Sequence, residues 1–397
     1  MKKIIYSLLI FMISSNIIFA QEKTEEKEKK EKSNKNLPIK PGRFYDLNTD
    51  TGSWMSLDVS PDGQTIVFDL LGDIYSIPIS GGKAKRITKG MAFDSHPKYS
   101  PNGESIVYVS DKSGGNNVWI RDLNSNDSIQ ITKEKDNQTA FADWSKDGDY
   151  LIVSKGRRNL KLHMYHKDGG NGVKLIDKPS SLKIVQPEVG INDRYIWYAN
   201  RTNSWQYNAG LPQYQISKYD RETGDIKRET SRFGSAFTPT LSPDGKSLVY
   251  GTRYEDKTAL RIRNLETGYE KWLAFPVQKD DQESQATMGV LPNMAFTPDS
   301  KNLILSYGGK INKIDINEGK SYEIPFQINE TIEVGPELKF DYEISDEKSM
   351  IVNQIRNPSV SPDNKKITFT ALNKLYVMDL DSNQITRLTS FEDETIE

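Results

Sequence analysis

Four residues, Ser60-Pro61-Asp62-Gly63, followed at once by the apolar run Ile66-Val67-Phe68, constrain this chain more than any other stretch. The combination of a tight turn and a short apolar strand recurs. Ser100-Pro101-Asn102-Gly103, Ser145-Lys146-Asp147-Gly148 and Ser242-Pro243-Asp244-Gly245 repeat it, and Thr297-Pro298-Asp299-Ser300 and Ser361-Pro362-Asp363-Asn364 are weaker copies. The residue types follow from the turn. Proline presets φ at the first corner of a type I turn, Asp or Asn at the second bonds nearby backbone, and Gly accepts the positive φ that ends it. The leading Ser hydroxyl can bond a following N–H.

Between turns the chain reads as short β-branched and aromatic runs bounded by turn residues, with no long helical periodicity. In the first unit the expected strands are Trp54 to Val59, Thr65 to Asp69, Asp73 to Pro78 and Ala84 to Thr88, with Gly81-Gly82 turning between the last two. The second unit runs from Ser95 to Thr132 and the third from Thr139 to Ile176. The fourth has Ile191-Asn192-Asp193-Arg194 where the turn belongs. The fifth ends near Leu273, the sixth near Ile324 and the seventh at Arg387-Leu388-Thr389. Several fourth strands close alike, as in Arg86-Ile87-Thr88 and Gln130-Ile131-Thr132. One small sheet cannot bury its two apolar faces alone, whereas blades packed around an axis bury both. The expectation is an all-β fold, a seven-bladed β-propeller of four-stranded antiparallel blades spanning residues 41–390.

Lys2 and Lys3, the apolar run Ile4 to Ile18 and Ala20 before Gln21 read as a secretory signal peptide over residues 1–20. A transmembrane anchor is the rival reading, weakened by Ser14, Ser15 and Asn16 within the run. Residues 21–40, dominated by Glu, Lys, Ser and Asn, read as a solvated linker. The chain has no cysteine, which excludes disulfides, thiolate zinc sites and cysteine nucleophiles. A formal net charge of -2 gives no sign of a nucleic-acid partner. These features place the protein in the periplasm or exterior of a bacterium, as a monomer with no membrane span once the signal is cleaved. The acidic tail, residues 391–397, reads as a lead-in to a further unit cut short, or as the end of a complete ring.

The repeat resembles the propeller blades of TolB and of the tricorn protease, from about Trp54 to Thr389. Three stretches, Gln206 to Gln215, Val352 to Pro358 and Ala371 to Leu380, resemble the N-terminal propeller of large secreted bacterial proteins that carry an amidohydrolase domain. That resemblance implies metal-dependent hydrolysis of C–N bonds by the whole protein, with the divalent metal in a hydrolase domain absent from this chain. The assignment carries over to no residue here. The three histidines, His96, His163 and His166, form no His-x-His pair, so no catalytic residue, metal ligand or cofactor is expected in the chain itself.

Aligning the units on the turn Ser singles out two sets of positions on the first strands. Four residues before it stand Ser56, His96, Phe141, Gln186, Thr238, Asn293 and Asn357; two before it stand Asp58, Lys98, Asp143, Glu188, Thr240, Ala295 and Ser359. Strand alternation puts both sets on one side, where they would line a polar channel able to bind a peptide or cation, or simply be hydrated. The residue just before the Ser is apolar in every unit (Val59, Tyr99, Trp144, Val189, Leu241, Phe296, Val360) and should pack between blades. His163 and His166 should fall on opposite faces of a strand. Asp69, Asp122, Asp315 and Asp379 recur after strands, as calcium ligands or as turn caps. Trp205, Tyr207 and Tyr214 in the insertion from Asn200 are candidate partner or glycan contacts. Pro325 to Pro358, containing Phe340 and Tyr342, reads as the longest connection, a lid or docking edge. Two functions stay open: a non-catalytic module binding a peptide, glycan or partner domain, and a propeller that guides substrate to a following amidohydrolase domain.

Overall fold

The Ser-Pro-Asp-Gly turn forms as its residues dictate. In the computed structural model, which describes residues 40–133, 138–204, 210–282, 290–337 and 345–390, Gly63 N–H donates to Ser60 O at 2.8 Å and Thr65 N–H to Ser60 Oγ at 3.0 Å. Asp62 accepts from Ser60 Oγ and from Gln64 N–H. Gly63 takes φ +71°, and in the weaker copies Ser300 and Asn364 hold the same left-handed conformation. The signal peptide, Trp205, Tyr207, Phe340 and Tyr342 lie outside the described residues. Among the described residues no helix is long and apolar enough to cross a membrane.

Each turn leads a four-stranded antiparallel meander. The seven units of sequence are seven such sheets. The first has strands Leu57–Val59, Thr65–Leu70, Asp73–Pro78 and Lys85–Arg86, so its outer strands are shorter than expected. The closing Thr has a structural reason. Its hydroxyl accepts an N–H of the third strand: Ile74 onto Thr88 at 2.9 Å, Val118 onto Thr132 at 2.9 Å and Leu375 onto Thr389 at 3.3 Å.

The chain divides into two compact units, one running to Glu337 and one from residue 338. Six sheets lie in the first unit and close a ring there. Ser306 Oγ of the sixth sheet donates to Met55 O at 2.7 Å, and Asn293 N–H donates to Ser56 Oγ at 3.2 Å. Ala295, Ile304 and Ile311 of the sixth sheet share one apolar cluster with Met55, Leu57 and Phe68 of the first. The turns mesh in the same sense. Gly103 sits beside Pro61 of the preceding turn, and Gly63 beside Pro298 of the sixth, where a Cβ would stand 3.2 Å from the ring. The seventh sheet, Arg356–Val360, Lys366–Ala371, Lys374–Asp379 and Ile385–Arg387, belongs to the second unit.

The segment expected as a long connection is partly ordered strand. Phe326–Val334 pairs antiparallel with Arg43–Thr49, and its first two residues pair parallel with Gly82–Lys83. It leaves the sixth sheet and fastens to the edge of the first. Arg86 locks it there, its Nη2 lying 2.7 Å from Asp73 and 2.6 Å from Glu333 while Nη1 donates to Thr331 O. Phe326, Ile328 and Ile332 point into the core. Their period of two was the strand signal in the sequence.

Candidate functional site: the axial channel and its mouth

The first strands converge on the axis, but not as uninterrupted strands. Register shifts separate Ser95 from Lys98, Val185 from Glu188 and Phe237 from Thr240. His96, Gln186, Thr238 and Asn357 sit at φ between +50° and +55°. This bulge breaks simple alternation and divides the two aligned sets into separate layers.

The inner layer is a hydrogen-bonded plug rather than the wall of a water-filled channel. Ser56, His96, Phe141, Gln186, Thr238 and Asn293 are all buried. Ser56 Oγ and His96 Nδ1 are hydrogen-bonded at 2.9 Å, Thr238 Oγ1 donates to Gln186 Oε1 at 2.8 Å, and Gln186 Nε2 donates to Leu291 O at 2.9 Å. The His96 ring packs 4.7 Å from that of Phe141. Asp69 fastens the layer from behind: Ser56 N–H and His96 N–H each donate to one of its oxygens, at 2.8 and 2.7 Å. Burial pushes the Asp69 carboxyl up to about 7 despite these bonds.

Burial also brings His96 down to about 4, and its Nε2 has no partner. The unfolded chain therefore binds a proton between about pH 6.5 and 4 that the folded chain does not, and the His96 contribution to stability falls as pH falls. His96→Gln places at this position the residue that the fourth sheet carries there. Relative to this variant, the parent should lose about 2 kcal/mol more on going from pH 7 to pH 5. Denaturant unfolding at both pH values checks this; parallel losses would show that His96 is not the titrating group.

The outer layer carries the charge. Lys98 Nζ lies 3.1 Å from Asp143 and 2.6 Å from Glu188. Burial works against the ammonium, but these carboxylates outweigh it and raise the Lys98 pKa. Burial raises Glu188, opposed by Lys98, and brings Asp58 up to about 7. Each acid also clasps the next sheet. Asp58 accepts Tyr99 N–H at 2.8 Å, Asp143 accepts Val189 N–H at 2.7 Å and Glu188 accepts Leu241 N–H at 3.4 Å.

Above this layer opens a cavity of about 320 Å³, lined by residues of all six sheets of the first unit. Its wall sets the apolar residues Tyr99, Trp144, Leu241 and Phe296 and the turn residues Pro61, Pro101, Pro243, Pro298 and Ile191 among the polar Ser60, Ser100, Ser242 and Lys146. The recurrent turn is thus both scaffold and rim. The charged floor and the residues packed above it are separate sets in the sequence; that the prolines complete the mouth follows only from ring closure.

Other singled-out residues have structural partners. Tyr214 is buried in the main apolar cluster, so it is not an exposed loop contact. His163 is buried with Nδ1 bonded to Lys161 O, while His166 is exposed beside Asp168. Asp122, Asp315 and Asp379 accept N–H groups two and three residues on, as turn caps. Asn357 and Val360 belong to the seventh sheet and are exposed. Among the described residues, no three His, Cys, Asp or Glu side chains cluster to hold a metal ion.

Residues 39–209 match the TolB β-propeller domain family. A protein of Agrobacterium fabrum is 30% identical over 135 residues, which are 30% of this chain and 44% of that protein. The chain spans less than half the length of the curated relatives it matches. Among solved structures, a putative TolB from Agrobacterium tumefaciens aligns at TM-score 0.50 with 16% identity, over 62% of this chain and 86% of that one. The tricorn protease aligns at TM-score 0.53 with 15% identity, over 86% of this chain and 32% of that one. At these identities the likeness is one of fold. Repeat, ring and matched segment together give the chain a TolB- and tricorn-like β-propeller fold.

Proposed function

We propose that the protein is a non-catalytic binding module of the bacterial periplasm or cell exterior, taking an extended peptide segment of a partner protein at the mouth ringed by the six turns. The observation that carries this reading is a cavity to which all six sheets contribute, with Trp144, Leu241 and Phe296 over a charged floor. An apolar side chain fits against Trp144, Leu241 and Phe296, while the Asp58 and Glu188 carboxylates accept N–H groups of the segment. Apolar pockets with a few placed polar groups are the usual form of such sites. The leader features of residues 1–20 support export.

The test is a peptide array probed with the full chain, followed by affinity measurement on the bound sequences. Leu241→Asp should weaken them at least about tenfold, because a carboxylate then stands in the apolar wall. Tyr322→Ser, at an exposed position of the sixth sheet, should leave them unchanged. Equal affinity of the parent and Leu241→Asp would exclude the mouth as the site.

The seventh sheet supports a second reading. Val360, counterpart of residues that are buried or half-buried in the other six units, is 52% exposed, and Leu372, Ile385 and Leu388 are exposed as well. Such a sheet suits a chain that works beside a further domain, such as the amidohydrolase implied by the resemblance, with the propeller guiding substrate. Reading the coding frame beyond Glu397 tests this: a further repeat and a His-x-His pair support it, and an immediate stop codon removes it.

A further inference from the structure

Away from the axis, the second sheet holds a cluster that the channel does not use. The loop between strands Ser105–Ser110 and Asn117–Asp122 places Lys112 Nζ 3.7 Å from the ring centroid of Trp119 and 2.8 Å from the Tyr108 hydroxyl. Lys112 and Tyr108 line a cavity of about 340 Å³ together with Lys89, Asp94, Asp111 and Arg121. Asp94 is buried, and its Oδ1 has no partner in the protein. An amine, a buried carboxyl and two further cations thus share one open cavity.

We propose that this cavity takes a small anionic aldehyde or ketone and holds it as an imine on the Lys112 nitrogen, its anionic group paired with Arg121 and Lys89. The neutral amine attacks the carbonyl carbon and forms a carbinolamine. The carbinolamine hydroxyl takes the Asp94 proton and leaves as water, giving the protonated imine facing the Asp94 carboxylate. No oxidant or reductant is needed, and hydrolysis reverses the step. The cationic imine stays over the Trp119 face, where the ring quadrupole favours positive charge.

The electrostatics agree with this geometry. Burial, reinforced by Arg121 and opposed by Asp94, brings Lys112 down to about 8, so much more of it is neutral at neutral pH than of an ordinary lysine. Burial raises the Asp94 carboxyl above the ordinary carboxylate range, opposed by the Ser110 and Thr88 hydroxyls. The other titratable groups facing Lys112 are Tyr108, which burial pushes up to about 12 and so leaves protonated, Asp111 and Lys89.

The experiment incubates the full chain with pyridoxal phosphate near neutral pH, reduces with borohydride and maps the label by peptide mass spectrometry. Lys112 should be labelled roughly tenfold faster than the exposed lysines. Lys112→Arg, which keeps a cation over Trp119, should remove that fast component. Arg121→Gln should slow it for pyridoxal phosphate but not for pyridoxal, which lacks the phosphate. Label spread evenly over exposed lysines would overturn the proposal, as would an Arg121→Gln effect equal for both aldehydes.

Discussion

Arg86→Met should destabilise the protein by about 3–5 kcal/mol, because it leaves the buried Asp73 and the half-buried Glu333 carboxylates without their shared cation. The Arg86 side chain is 2% exposed, so water cannot replace the guanidinium without opening the edge of the first sheet. The loss should also be localised. Arg86 holds Phe326–Val334, and that strand carries Arg43–Thr49 on its other side. Hydrogen exchange should therefore quicken in these two strands before it quickens in the ring of sheets. Adding Asp73→Leu and Glu333→Gln should recover most of the loss, since no carboxylate is then stranded. Uniform exchange across the first unit, or no recovery in the combined variant, would show that the clasp is not the cause.

Lys98→Met at the axis should cost a similar ~3–5 kcal/mol at neutral pH. Three carboxyls, Asp58, Asp143 and Glu188, gather around this one ammonium, with Asp143 and Glu188 in direct contact. Without it their mutual repulsion is uncompensated in a site of low dielectric. The sign of the pH effect follows. Protonating a carboxyl relieves the repulsion, so the gap between variant and parent should narrow as pH falls from neutral. The parent should gain less, because Lys98 opposes the burial that raises Asp58 and Glu188. A gap that stays constant down to about pH 5 would place the cost in packing rather than charge. Both substitutions are read by denaturant unfolding, and the unfolded chain enters both comparisons alike.

Lys98 and Arg86 differ in how far the sequence announces them. Lys98 came from aligning the units on their turns, because a position two residues before each Ser must recur on the same face of each first strand. Arg86 was visible only as part of a recurrent strand ending. Its partner Glu333 lies in a segment read as a connection, although Phe326, Ile328 and Ile332 alternate as a strand should. Exposure told a similar story for Tyr214, which sits in an insertion but is packed in the main core.

What the sequence by itself determined is local and repetitive. Proline, Asp or Asn, and Gly set the dihedrals of each turn, alternating apolar residues set each strand, and a closing Thr caps the third strand of its sheet. Those choices depend on neighbours a few residues away, so they can be read from one unit. The tertiary structure decided what depends on distant partners. It closed six sheets into a ring within the first unit, through contacts such as Ser306 with Met55 that lie far apart in the chain. It turned His96, Gln186 and Thr238 into a bonded plug, because a bulge at positive φ rotates them out of alternation and burial then requires each to find a partner. And it gathered the prolines of separate turns into one rim, which no single unit encodes.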